Sequence, residues 1–182
     1  MEVSIRKING WAEVLNASRF TVHKDAVDKE PSEKFKHNII YAEHSPLREL
    51  RFEVIIKDIP YFSVMHLVRH WNGLEKYVAT SREDRTGVSR DERKQTDLVD
   101  FMFTINAQAL INISKVRLCA CADATTRQTW TLVVHKLAEI EPLLAHACVP
   151  TCVYRGFCPE IQCCGYVNTP AYTKARASYV KA

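Results

Sequence analysis

The chain has 182 residues, 47% hydrophobic and 25% charged, with a net charge of +4 and a pI near 8.7. That is long enough for one well-buried domain, too short for a second full one, and too apolar and too evenly furnished with aromatics for a disordered protein. The mild basicity suits anionic small molecules and is no nucleic-acid signature by itself. The longest charge-free run, Phe101 to Ser114, carries Asn, Gln, Thr and Ser and is too short to span a bilayer. MEVSIRKING has no apolar signal region, so the expected compartment is cytoplasmic, with neither membrane nor nucleic acid as a partner.

In chain order, INGWAEVLNAS (8–18) predicts a short helix, and Pro31 lies near the start of another, with Phe35, Ile39 and Ile40 as a partial apolar stripe. LRFEVIIKDI alternates at Leu50, Phe52, Val54 and Ile56, the period of a half-buried strand. Asp58 and Pro60 then open a helix from Tyr61 to His70 that ends near Gly73. Residues 83–96 form a charged, exposed connector. From Asp97 the pattern predicts about twenty helical residues, which places Asn106, Leu110, Ile113 and Arg117 on one stripe, Asn106 and Arg117 about 16 Å apart. Asp123 caps a further helix carrying Trp130, Val133, Val134, Leu137, Ile140 and Leu144, kinked or ended by Pro142. The sum is one α+β domain over 1–182, a central mixed or antiparallel sheet flanked by long helices, with an irregular cysteine-containing segment at 148–182.

Seven cysteines, an odd number without a signal peptide, argue against a disulfide framework. The spacing Cys148-x3-Cys152-x5-Cys158-x4-Cys163 does not match paired C-x2-C zinc modules, so reduced, packed thiols and no metal are expected, a zinc site staying open.

The stretch RHWNGLEKYVATSREDR (69–85) carries the chemistry. An apolar segment runs into Arg69-His70, a glycine turn follows, and a second cation cluster opens with Thr80-Ser81. Taken alone, Arg69-His70-Trp71 reads as a helix C-terminus favoured by the dipole, and Ser81 to Arg85 as a solvated, self-paired loop. His66 and His135 read as packed or hydrogen-bonded side chains.

The order of several segments resembles the flavin-dependent thymidylate synthases. Arg69-His70 and Ser81-Arg82 are similar to the two ends of the family signature R-H-R-x-x-S-x-N-E-x-S-x-R, with one extra residue between them. HSPLRELRFEV (44–54) resembles a T-P-F-E-H segment followed by a strand. INAQALINISKVRLC (105–119) resembles the N-A-R-x-L-x-N-x-x-x-x-R-L-C helix, with Asn106, Asn112 and Arg117 at matching positions, and VPTCVYRGFCPEIQCCGY is similar to the C-terminal segment of some bacterial members. Trp71 stands at a signature Arg, Leu74 at a Ser, Glu49 at a His, and Asp100 and Gln108 at two Arg positions.

The resemblance implies reductive methylation of a pyrimidine nucleotide, most simply dUMP to dTMP. Methylenetetrahydrofolate would be the carbon donor, FAD the redox carrier and NADPH the reductant, in a homotetramer whose sites are shared between subunits. It implies that Arg69, His70 and Trp71 hold FAD with Asn106 and Asn112, and that Thr80, Ser81, Arg82 and Arg85 bind the nucleotide phosphate. His66 stands where the family contacts the nucleotide through a Gln. Arg117 would contact the pyrimidine and stabilise negative charge on it. The chemistry agrees, since guanidinium grips phosphate in a two-pronged fashion and a fixed cation in a dry site stabilises an anionic ring. A divergent member acting on another pyrimidine nucleotide, or a non-catalytic nucleotide-binding protein on the same scaffold, are the other readings. A metal-binding module built on the C-terminal cysteines is a weaker one.

Overall fold

The computed structural model describes residues 1–181. Four antiparallel strands form one sheet in the order β1-β2-β4-β3: β1 (Glu2–Lys7), β2 (Arg51–Pro60), β3 (Leu74–Val78) and β4 (Leu98–Asn106). Alternation sorts the side chains, because successive residues of a strand face opposite ways. Phe52, Val54, Ile56 and Ile59 of β2 and Phe101, Phe103 and Ile105 of β4 are all buried on one face. Val3 opposite Ile56 and Leu74 opposite Ile105 extend that face to both edges.

The register slips between Ile56 and Ile59, where Asp58 adopts φ +55° and its N–H donates to the Asp100 Oδ1 at 3.2 Å. This bulge keeps Ile59 on the core face after an extra residue. Asp is among the few side chains that tolerate a left-handed backbone.

The apolar face is covered by α3 (Tyr61–Leu67), α5 (Ala107–Arg117) and α6 (Ala124–Ile140). Around them lie α1 (Trp11–Phe20), α2 (Glu33–Tyr41), the single turn α4 (Glu83–Thr86), α7 (Pro142–Ala147), α8 (Thr151–Arg155) and α9 (Pro170–Lys181). Trp130 of α6 is buried and its indole N–H donates to Ser114 Oγ of α5 at 2.8 Å, which satisfies both buried polar groups. Asp123 caps α6 by accepting the Thr126 N–H at 2.8 Å, and Pro142 begins α7 where α6 has ended, both as expected. Among the described residues no helix is long and apolar enough to cross a membrane.

Four expectations are corrected. The continuous helix from Asp97 is a strand followed by a shorter helix: Leu98–Asn106 pairs with β2 on one side and β3 on the other, and only Ala107–Arg117 is helical. DLVDFMFTIN alternates as well as it spirals, and two partner strands decide in favour of the ladder. Strands β1 and β3 stand where no strand is expected, the latter in the middle of the glycine-turn stretch. The helix at 61–70 stops at Leu67, leaving Val68 to His70 as its unwound end. The C-terminal segment is not irregular throughout, since α8 and α9 lie within it.

Candidate functional site

The Arg-His pair sits at the C-terminal end of α3, whose last carbonyls need donors. Two cations from other elements supply them. Lys76 Nζ of β3 donates to the Val68 carbonyl at 2.9 Å and the His70 carbonyl at 2.8 Å. Arg117, the last residue of α5, donates from Nη2 to the His66 carbonyl at 2.5 Å and from Nε to His70 Nε2 at 2.9 Å. The second bond requires an unprotonated Nε2, so the imidazole is neutral with its proton on Nδ1. Burial, then the charges of Arg117 and Lys76, push the His70 pKa down to about 4. Burial and a neighbouring Arg69 also lower the pKa of Arg117. Arg69 is exposed and makes no ion pair among the described residues, so two guanidinium groups stand side by side without an acid between them. Such a pair is stabilised by a bound anion.

The other end of α5 holds the glycine turn. Asn106 is the N-cap, its Oδ1 accepting the Ala109 N–H at 2.9 Å, while its own N–H donates to the Gly73 carbonyl at 3.0 Å. Gly73 has φ +73°, and a Cβ there would come within 2.9 Å of the Asn106 side chain. The turn therefore needs glycine for both conformation and room. One helix thus grips the stretch from His66 to Gly73 at both ends, Asn106 on the turn and Arg117 on the Arg-His pair. Asn106 and Arg117 do not share a buried stripe. They are the cap and the final residue of α5.

Beside this turn are two adjoining clefts. One of about 110 Å3 is lined by Arg48, Asn72, Gly73, Asn106, Gln108 and Asn112. The next, about 340 Å3, shares Arg48, Gly73 and Asn106 and adds Arg51, Glu49 and Glu75. The α5 N-terminus points its positive end here. Arg48 is a cation that neither spacing nor the family resemblance singles out. The 3-10 turn Ser45–Glu49 places it: Leu47 and Leu50 are fully buried, which turns Arg48 outward onto the cleft. Arg48 makes no ion pair among the described residues, whereas Glu49 lies 3.5 Å from Arg51. Asn112 is exposed on the cleft wall, its Oδ1 accepting weakly from Gln108 Nε2 at 3.3 Å.

Thr80, Ser81, Arg82 and Arg85 lie elsewhere. Ser81 and Arg82 line a cleft of about 250 Å3 with Tyr61, Arg90, Arg93 and Lys94. Tyr61 begins α3, so this basic cleft stands by the N-terminal end of the helix whose C-terminal end carries Arg69, His70 and Arg117. Arg82 is held by Asp84 through two bonds of 2.9 Å, and Arg85 lies 3.7 Å from the same carboxylate. Thr80 Oγ1 accepts the Arg82 N–H at 3.2 Å. Arg90, Arg93 and Lys94 were legible only as members of a charged connector.

Two of the departures from the family pattern, Asp100 and Gln108, have structural employment. Asp100 serves the β2 bulge. Gln108 donates to Glu43 Oε2 at 2.5 Å, and Lys115 holds the same carboxylate at 2.8 Å. Trp71 is 77% exposed, packing on nothing in its own chain that hides it. His66 contributes its carbonyl to Arg117. The most spacious cleft described, about 400 Å3, lies between α1 and α2 around Phe35, Ile39 and Pro46 and contains none of these residues.

No protein-family model matches the chain, and no curated protein matches it by sequence. Solved structures do match by fold. The flavin-dependent thymidylate synthase ThyX from Helicobacter pylori, complexed with FAD and dUMP, superposes with a TM-score of 0.63 at 15% identity, over 82% of this chain and 100% of that one. A UMP/dUMP methylase, PolB, from Streptomyces cacaoi, bound with 5-Br dUMP, gives 0.60 at 13% identity, over 86% of this chain and 96% of that one. The fold is that of the flavin-dependent thymidylate synthases.

Proposed function

We propose that this chain is a flavin-dependent enzyme that methylates the pyrimidine ring of a uridine nucleotide, most simply dUMP to dTMP. Methylenetetrahydrofolate would serve as carbon donor and NADPH as reductant. The observation that carries the reading is the unpaired Arg48 and the amide side chains around the turn at Gly73, which α5 holds at both ends, on a fold shared with enzymes solved with dUMP or its analogue.

The residues present fit a flavin cofactor. Arg48 offers a guanidinium group without an acid partner among the described residues, Asn72 and Asn112 offer amides, Gly73 lets backbone approach closely, and Arg69 lies on the same stretch beside Arg117. FAD bound there would carry the redox chemistry, so the protein needs no nucleophile of its own and the cysteines are not required for turnover. Arg117 keeps its Nη1 donors uncommitted among the described residues and lies beside Arg69, which suits it to hold negative charge on the pyrimidine. His70, neutral, fixes the plane of that guanidinium. Arg82, Ser81 and the loop cations Arg90, Arg93 and Lys94 would receive the nucleotide phosphate.

Within one chain the Arg82 cleft and the Arg117 bracket stand at opposite ends of α3. In the proposed assembly, different subunits of a homotetramer supply the two halves of one shared pocket.

The test begins with the visible spectrum of the purified protein, followed by reconstitution with FAD. A flavin spectrum, dTMP formed from dUMP with methylenetetrahydrofolate and NADPH, and an Arg117→Ala variant that keeps flavin but loses turnover are expected. A colourless protein that cannot take up FAD removes the proposal, and flavin loss in Arg117→Ala reassigns that residue to the cofactor. Product from UMP or another pyrimidine nucleotide in place of dUMP would fix the substrate within the same class.

A further inference from the structure

The segment between α8 and α9 should not be able to hold itself in place. From 156 to 169 it contains no buried side chain, and its only regular structure is the 3-10 turn Tyr166–Asn168. Phe157 is 58% exposed and Ile161 fully so. With so little apolar burial to offset its conformational entropy, such a segment is normally ordered by a cross-link or a metal. It is nevertheless folded back on the end of α5: Cys121 Sγ donates to the Gln162 carbonyl at 3.7 Å.

The fold-back brings thiols together that are far apart in sequence. A cavity of about 270 Å3 is lined by Cys119 at the end of α5, Cys152 of α8, and Cys158 and Cys164 of the loop. The other three cysteines are engaged differently. Cys121 bonds the Gln162 carbonyl and lies beside Cys119 and Cys164, Cys163 Sγ accepts the Gly165 N–H at 3.4 Å and lies beside Cys158, and Cys148 is buried in the core. The four lining cysteines are the ones that face the cavity itself.

We propose that Cys119, Cys152, Cys158 and Cys164 form a tetrathiolate site for one zinc ion, which staples the 156–169 segment to the C-terminal ends of α5 and α8. Four thiolates from separate segments suit tetrahedral zinc, with Zn–S distances of about 2.3 Å, and soft sulfur ligands discriminate against magnesium and calcium. The thiols do not already stand at ligand distance: among the described residues no three His, Cys, Asp or Glu side chains are placed to hold a metal ion. Cys164 is exposed and the other three are half-buried, and coordination requires their side chains to rotate and the loop to draw inward around the ion. Each thiol loses its proton on coordination, so the ion binds with proton release and orders the segment in one step. Two disulfides would use the same four sulfurs, but they would require an oxidant and would release four protons and four electrons.

The experiment is metal analysis of the full chain, purified under reducing conditions without chelator, followed by chelator stripping and titration with cobalt(II). One zinc per chain is expected, with cobalt uptake saturating at one equivalent and giving the absorption of tetrahedral thiolate coordination. Cys158→Ser and Cys164→Ser should each lose the metal, while Cys121→Ser, Cys163→Ser and Cys148→Ser retain it. Failure of the unsubstituted protein to bind either ion at one equivalent overturns the proposal, and this arm does not depend on any variant folding. Retention in Cys164→Ser with loss in Cys163→Ser overturns the ligand set, and disulfides mapped in the freshly purified metal-free protein overturn it as well. Because the measurement needs neither flavin nor nucleotide, its outcome is separate from that of the proposed activity.

Discussion

Gly73→Ala tests the connection between the turn and α5 most directly. The residue sits at φ +73°, a conformation that costs an L side chain about 1 kcal/mol, and a Cβ there would lie within 2.9 Å of the Asn106 side chain. Asn106 cannot retreat without giving up the Ala109 N–H that it caps at 2.9 Å, and loss of such a cap costs about 0.5–2 kcal/mol. The combined destabilisation is about 1.5–3 kcal/mol, or about 3–12 °C in Tm for a chain of this size. Gly87→Ala provides the control. Its φ is +69°, but nothing lies within 4 Å of the added Cβ, so only the backbone cost of about 1 kcal/mol applies. Urea denaturation of both variants measures the difference. In Gly73→Ala/Asn106→Ala the clash is relieved, so the double variant should be less destabilised than the two single losses together. Equal losses at 73 and 87, or simple additivity in the double variant, would refute the steric link between turn and cap.

Two further outcomes follow from the same geometry. His70 is held to about 4 in the folded chain against an ordinary value near 6.5, so the unfolded chain binds the proton first as pH falls. Its contribution is therefore complete above about pH 6.5 and is lost as pH falls through 6.5 toward 4; for a half-buried, solvent-screened group the loss is about 1–2 kcal/mol. Denaturation at pH 4.5 and 7 should show it, and a His70→Gln variant should show it less; an identical pH profile in that variant would assign the dependence to other groups. Arg82→Ala should weaken uridine-nucleotide affinity by about 1.5–3 kcal/mol by calorimetry. An unchanged Kd would leave Arg82 with no role beyond its pair with Asp84.

The likeness to the flavin-dependent thymidylate synthases was legible from residue order, although no single motif was intact. Arg69-His70, Asn106, Asn112 and Arg117 kept their sequence positions while Trp71, Glu49, Asp100 and Gln108 did not, and the fold agrees with the order rather than with the gaps. Asp100 and Gln108 show why substitutions at such positions can survive: each has been taken up by a local hydrogen bond, one in a bulge and one on Glu43. Arg48 was invisible as a site residue because its exposure is decided by Leu47 and Leu50 turning inward in a 3-10 turn, which spacing alone does not encode.

Local chemistry by itself determined the alternation of β2, the cap of α6, the proline start of α7 and the glycine at the turn, because each depends on a few neighbouring residues and their backbone preferences. Tertiary structure alone decided that DLVDFMFTIN is a central strand, since an apolar run of that length satisfies both periods until partner strands offer their hydrogen bonds. It also decided which cations face each other and which cysteines share a cavity. Those juxtapositions join residues dozens of positions apart, and no one-dimensional pattern specifies the distance between side chains that only the packed sheet and helices bring together.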